Sequence, residues 1–228
     1  MIKTIFKWVF RIIIGIIIGS VLLVALYIVV DPPYTPLMFI RMIEGRIAGK
    51  SVGISKEWRD YDQISPNVFR ALMAGEDAKF MSHSGFDWKA IDRAKKINEQ
   101  RKGRRLMGAS TISMQTSKNV FLWQGRNYIR KGLEAYFTVL IETLWGKKRI
   151  LEIYANSIEW GDGIYGVEAA SQAYFGKSSA KLSNREAALL AAIVPNPRKW
   201  SAAKPSSYIQ KRAAMIQARL GGMPAPKQ

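Results

Sequence analysis

From Ile12 to Val30 the chain runs for 19 residues without a charged side chain, mostly Ile, Val and Leu. A hydrocarbon core about 30 Å thick is crossed by roughly 20 apolar residues, each rising about 1.5 Å. The run therefore predicts a membrane-spanning helix over 12–30, with 1–11 as a short N-terminal segment. Lys3, Lys7 and Arg11 precede it and Asp31 follows it. By the positive-inside rule the N-terminus stays in the cytoplasm and the rest of the chain lies across the membrane. A cleaved signal sequence has a shorter apolar core and a small-residue cleavage site; Asp31-Pro32-Pro33-Tyr34 offers no such site. The reading is an uncleaved anchor. Pro32, Pro33 and Pro36 stiffen the exit. Leu37 to Ile43, apolar apart from Arg41, then reads as a packed helix placed to dip into the membrane interface.

Charge narrows the partners. Lys and Arg number 35 against 17 Asp and Glu, a net +18, of which +15 lies beyond the span. Such an excess points to polyanions or to an anionic membrane surface. The basic run Arg93, Lys95, Lys96, Arg101, Lys102, Arg104 and Arg105 fits anionic head groups better than nucleic acid, which is on the other side of the membrane. With 48% hydrophobic residues the chain can build a core. Cysteine is absent, which excludes disulfide frameworks, thiolate metal sites and a cysteine nucleophile.

Beyond the anchor the signals are helical. Ser65-Pro66 starts one helix, Asp87 caps another, Ser110 opens a third, and Asn127 opens a longer one to about Trp145. Ile150 to Ala155, Val167 to Phe175 and a capping box at Ser183-Asn184-Arg185-Glu186 follow, with a last helix from Ser207 to about Leu220. The expected fold class is mostly α. The expected division is 31–64 as a juxtamembrane segment, 65–200 as the main domain, and 201–228 as a C-terminal helix and tail.

Several groups could do chemistry. Glu76 shares a helical stripe with Phe69, Leu72 and Met73; apolar neighbours raise a carboxyl pKa, which suits a general base or acid. A solvated helix end is the plainer alternative for Glu76 taken alone. Glu76-Asp77, Phe80, His83 and Gly85 form E-D-x-x-F-x-x-H-x-G, in which His83 reads as structural. With Ser110 as the cap, Thr111, Gln115 and Lys118 fall on one face and could hold a sugar and a phosphate, though taken alone an ordinary solvent face is the plainer reading. Arg130 and Glu134 stand one turn apart, the spacing of many surface salt bridges, but Glu134 is on the stripe of Phe137 and Ile141, which points inward and suits a second catalytic carboxylate beside an arginine. Lys148 and Glu152 read mainly as architecture. Gly161 to Gly166 matches G-x-G-x-x-G, but the dinucleotide motif needs a βαβ unit that is not in view. Asp60-Tyr61-Asp62 reads as a turn, and two S-x-x-K matches, at Ser178 and Ser201, read as chance.

Taken in order, Glu76 to Gly85, Gly108 to Asn119, Arg130 to Glu134, Lys148 to Asn156 and Ala187 to Pro197 resemble the motifs of the peptidoglycan glycosyltransferase family, of the monofunctional biosynthetic type. The resemblance covers about residues 60–200 and the anchor. It implies a lysozyme-like helical glycosyltransferase domain behind one transmembrane helix, on the periplasmic face of the inner membrane, serving cell wall biogenesis. The implied reaction polymerises lipid II into glycan strands with inversion and release of undecaprenyl pyrophosphate. The resemblance makes Glu76 the base and Glu134 the second catalytic glutamate, with Ser110, Gln115, Lys118 and Arg130 binding substrate. No cofactor is required by the sequence, and the family allows Mg2+ or another divalent cation at the pyrophosphate. Implied partners are lipid II, the growing strand, membrane lipids and other cell-wall synthesis proteins, with no nucleic acid.

Three positions depart from the family pattern. Met114 stands where a glutamine is usual, Ala109 where glycine is, and Ala155 where leucine is; Met cannot make the amide's hydrogen bonds. Two other functions remain open from the residues alone. A membrane-anchored muramidase would need a glutamate but not Lys118 and Arg130, and a catalytically silent scaffold would need none of them.

Overall fold

The computed structural model of the chain describes residues 2–101, 107–125 and 127–224. Lys102, Arg104 and Arg105 of the basic run, and the tail beyond 224, lie outside the described residues. Helix α1 (Ile2–Leu26) has 25 residues, about 37 Å at 1.5 Å per residue. It is the one helix among the described residues long and apolar enough to cross a membrane. Most of its side chains are exposed, from Ile5 to Leu26, but Val24 is fully buried.

The end of α1 is fastened to the domain. Helix α6 (Tyr128–Leu144) lies against it, with the Tyr136 and Ser20 hydroxyls 2.8 Å apart. The Trp145 indole donates to the Val24 carbonyl at 2.8 Å. Arg149 donates to the carbonyls of Tyr27 and Val30, both at 3.0 Å. Carbonyls at a helix C-terminus lack partners within the helix, and a cation there meets both their lone pairs and the dipole. Helix α2 (Pro36–Ile47) follows, with Pro36 at its first turn.

The core centres on α3 (Pro66–Glu76), which packs on α9 (Asn184–Ile193) and α10 (Ser207–Arg219). Phe69, Leu72 and Met73 of α3 are buried in one cluster with Ala187, Ala188, Ala191 and Ala192 of α9; small side chains let the helices approach closely. Gly75 does the same for α10, since a Cβ there would lie 3.1 Å from Ile216 Cδ1. Helix α5 (Ile112–Phe121) packs between α6 and α7 (Lys147–Ser157). Helix α4 (Trp88–Gln100) is largely exposed, with Ala94 buried, and Asp87 caps it through Ala90 N at 2.9 Å.

Strands β1 (Ser55–Lys56), β2 (Glu159–Gly161) and β3 (Ile164–Tyr165) form a small sheet in the order β1-β3-β2. The Gly161–Gly166 segment is thus a hairpin leading into α8 (Val167–Phe175), not the phosphate loop of a βαβ unit. Asp60 to Gln63 is a capped 3-10 turn, as expected.

The fold is mostly α, and the caps at Asp87, Asn127 and Ser183 are where the sequence puts them. One start differs. Thr111, not Ser110, caps α5: its hydroxyl oxygen accepts from Met114 N at 3.2 Å and donates to Gly85 O at 2.6 Å. The cause is Asp77, whose carboxylate accepts from Ile112 N at 3.0 Å and so fixes the first helical amide.

Candidate active site

Glu76 is the last residue of α3, where the buried stripe of that helix runs out into a cleft. Its side chain is 11% exposed. Three elements converge on it. From α5, Gln115 Nε2 donates to Glu76 Oε2 at 3.1 Å. From α10, Arg212 Nη2 donates to Glu76 Oε1 at 3.2 Å and lies 3.4 Å from the Gly75 carbonyl. From α7, the fully buried Tyr154 donates its hydroxyl to Gln115 Oε1 at 2.9 Å. An amide's oxygen and nitrogen ends differ only in what they meet. Tyr154 takes the oxygen end, so the nitrogen end is turned to the carboxylate.

Burial pushes the Glu76 carboxyl up, and the neighbouring Asp77 charge adds to this. The Gln115 hydrogen bond and the Arg212 charge pull it back down. The result is a carboxylate more basic than usual yet held by two donors. Asp77 has other work: His83 Nε2 lies 3.0 Å from each of its oxygens, and Ile112 N bonds it. His83 is structural, as its sequence context suggests.

The Glu76–Gln115 pair borders two cavities. One, of about 280 Å³, is lined by Glu76, Lys79, Arg93 and Ser110, with Ala109 also on its wall. The other, of about 220 Å³, is lined by Gln115, Lys118, Asn119 and Gln124, with Arg41 and Glu159. Burial pulls the Lys118 ammonium down, and Arg130, Lys131 and Arg41 push the same way, while Glu134 opposes them. A dianion placed there would relieve that crowding of cations.

The expected residues therefore fall into groups. Glu76 and Gln115 are in contact, with Ser110 across the first cavity and Lys118 on the second. Arg130 and Glu134, whose charges both act on Lys118, form a buried pair at 2.5 Å, and Lys131 takes the other Glu134 oxygen at 2.5 Å. Arg130 also donates to Gly125 O at 2.8 Å. Glu134 thus spends its oxygens on Arg130 and Lys131 rather than on the Glu76 group. Thr111 is buried and engaged in capping, so the polar stripe facing the cavities is Gln115 and Lys118. Met114 is 4% exposed and lines neither cavity. Lys148 pairs with Asp62 at 3.3 Å and Glu152 accepts from Tyr61 N at 3.0 Å, which is architecture.

Arg212 and Tyr154 were not legible as site residues. A signal for Arg212 exists: it lies on the stripe of Ile209, Ala213 and Ile216, which are buried. A charge on an apolar stripe demands a partner.

Among the described residues no group of three or more His, Asp or Glu side chains is placed to hold a metal ion. Both Glu134 oxygens already carry cations' hydrogen bonds. So engaged, Glu134 is not placed as a ligand for a protein-held cation.

Residues 44–221 match the model of a family described as Transglycosylase. A biosynthetic peptidoglycan transglycosylase of Caulobacter vibrioides is 56% identical over 203 residues, covering 89% of this chain and 85% of that protein. The protein of that name from Rhodospirillum centenum is 52% identical over 204 residues, covering 88% and 85%. Its counterpart from Pseudomonas fluorescens is 48% identical over 225 residues, covering 97% and 93%.

Proposed function

The chain belongs to the transglycosylase family, and on that premise we propose that it is a peptidoglycan glycosyltransferase that polymerises lipid II into glycan strands. One observation carries the reading. A nearly buried carboxylate, Glu76, stands beside Gln115 between a cavity that holds Ser110 and one that holds Lys118. That arrangement is what a single displacement between two bound sugars needs.

In this reading the first cavity takes the acceptor and the second takes the pyrophosphate of the donor. Glu76 removes the proton from the acceptor GlcNAc 4-hydroxyl, which is a poor nucleophile without a base. The freed oxygen attacks the anomeric carbon of the donor MurNAc from the face opposite the leaving group. The new bond forms as the anomeric carbon–oxygen bond breaks, and undecaprenyl pyrophosphate departs with the electron pair. One displacement inverts the centre, so an α donor gives a β linkage. The geometry parallels an inverting glycosidase, with a sugar hydroxyl in place of water.

The leaving group gains negative charge in the transition state. Lys118 faces it directly, and Arg130 supports that field from the buried pair with Glu134. Glu134 serves here to hold Arg130 and Lys131. The apolar helix α1 anchors the enzyme in the inner membrane with its N-terminus cytoplasmic, so the domain meets the isoprenoid-linked substrate at the periplasmic surface.

The test is full-length protein in detergent given lipid II in one reaction and preformed glycan in another. Long strands with stoichiometric undecaprenyl pyrophosphate are expected from the first, and no shortening in the second. Cleavage of glycan without polymer from lipid II would make the protein a muramidase instead.

A further inference from the structure

Helix α2 carries two stripes of opposite kind. Leu37, Arg41 and Gly45 recur at i, i+4 and i+8, and Phe39, Ile43 and Ile47 recur likewise on the other side. The first stripe faces the domain. Leu37 and Gly45 are buried, and a Cβ on Gly45 would meet Val52 Cγ2 at 2.7 Å. The second faces out, with Phe39, Ile43 and Ile47 all exposed. A helix in water turns its apolar stripe inward. This one turns apolar residues outward and a guanidinium inward.

That guanidinium borders the cavity of Lys118, Gln115 and Gln124. Two carboxylates occupy it. Nη1 bonds Glu44 Oε2 at 2.7 Å, while Nε lies 3.3 Å from Glu159 Oε2. Arg41 Nε and Glu159 Oε1 are both buried without a hydrogen-bond partner. Glu159 itself is 6% exposed at its side chain. Unpaired buried polar atoms are uncommon and mark a place where a partner is missing. Here Arg41, whose Nε meets Glu159 by charge but makes no hydrogen bond, and Glu159, whose Oε1 makes none, line the cavity that also holds a desolvated lysine.

We propose that Arg41 is a second cation, beside Lys118, for the donor's pyrophosphate, and that Glu159 holds Arg41 at the cavity until that ligand displaces it. The inference rests on the reading above in which this cavity takes the pyrophosphate. Arg41 lies outside residues 44–221, the part that matches the family, and comes from the segment nearest the membrane. An arginine fork suits phosphate oxygens better than an ammonium does. Since the outer stripe of α2 suits lipid, contact with the bilayer and completion of the pyrophosphate site occur on one short helix.

The test measures equilibrium binding of inorganic pyrophosphate to full-length protein in neutral detergent. Wild type is compared with Arg41→Gln, Arg41→Lys and Glu159→Gln, with thermal midpoints recorded alongside. Arg41→Gln is expected to weaken binding roughly tenfold, about 1.4 kcal/mol, with Arg41→Lys between it and wild type. Glu159→Gln is expected to tighten binding, because it removes a competing anion. If Arg41 and Glu159 served only as a structural pair, both neutral variants would shift binding the same way or not at all, which overturns the proposal. Binding to phosphatidylglycerol vesicles that falls in Arg41→Gln while pyrophosphate binding holds would assign Arg41 to head groups, and also overturns it. Because no turnover is needed, failure to polymerise lipid II with pyrophosphate binding intact would fault the enzymatic reading and leave Arg41 standing.

Discussion

At Glu76 burial and hydrogen bonding pull against each other, and the balance can be measured. Burial lifts its carboxyl while Arg212 and Gln115 lower it. As the proposed general base Glu76 must be ionised, so on that proposal the acid limb of the pH–rate profile follows this group. Arg212→Ala removes a lowering influence and is expected to move that limb to higher pH, with Arg212→Lys restoring part of the shift. The same group sets a stability effect. A carboxyl whose folded pKa lies above its unfolded value, about 4.3, stabilises fully below that value and loses the contribution as pH rises through the folded pKa. Glu76→Gln, which cannot ionise, is therefore expected to melt above wild type at pH 7–8, with the gap closing towards pH 4. A buried ionised carboxylate costs the fold something. Glu76 was legible because it follows Phe69, Leu72 and Met73 on one stripe. Arg212 and Tyr154 were not, because their roles exist only once α10 and α7 close on residues far away in sequence.

Among the elements, helix starts were the most legible, since a cap is a local event. Asp87, Asn127 and Ser183 accept the expected amides. The start of α5 moved from Ser110 to Thr111 because Asp77, 35 positions earlier, claims Ile112 N. Gly-rich segments were legible as turns but not as their kind. The Gly161–Gly166 hairpin needs glycine at 163, where φ is +75° and a Cβ would come within 2.6 Å of Gly53 O. Gly163→Ala is expected to lower the melting temperature by several degrees, since the left-handed conformation alone costs about 1–2 kcal/mol. Gly132, inside α6, has open space where a Cβ would project, with nothing within 4 Å. There Gly132→Ala is expected to raise stability by about 0.5–1 kcal/mol. Calorimetry of the two variants reads both signs at once.

Across the whole molecule, the apolar helix α1 and the net charge of +18 both suit the proposed work at an anionic membrane surface. Trp145, Tyr136 and Arg149 fasten the end of α1 to the domain, so that a bilayer crossed by α1, as proposed, would lie close to it. Phe39, Ile43 and Ile47 add an exposed apolar stripe beside that junction. Replacing all three with serine is expected to lower activity on lipid II in vesicles severalfold and to leave it near wild type in detergent. Equal losses in both would mean that the stripe acts in folding. The mostly helical architecture and the long apolar N-terminal helix were legible from periodicity and an uncharged run, and the lysozyme-like class from the family resemblance of the ordered motifs. The packing of α10 onto α3, which brings Arg212 to the carboxylate, was hidden because it depends on Gly75 admitting Ile216.

The most direct measurement is the turnover of lipid II by full-length Glu76→Gln against wild type at neutral pH, with melting curves to establish that both are folded. With Glu76 as the base, turnover is expected to fall by at least about 100-fold, the usual scale of general base catalysis, while the melting temperature stays level or rises. A folded Glu76→Gln protein that polymerises lipid II within a few-fold of wild type would contradict that role.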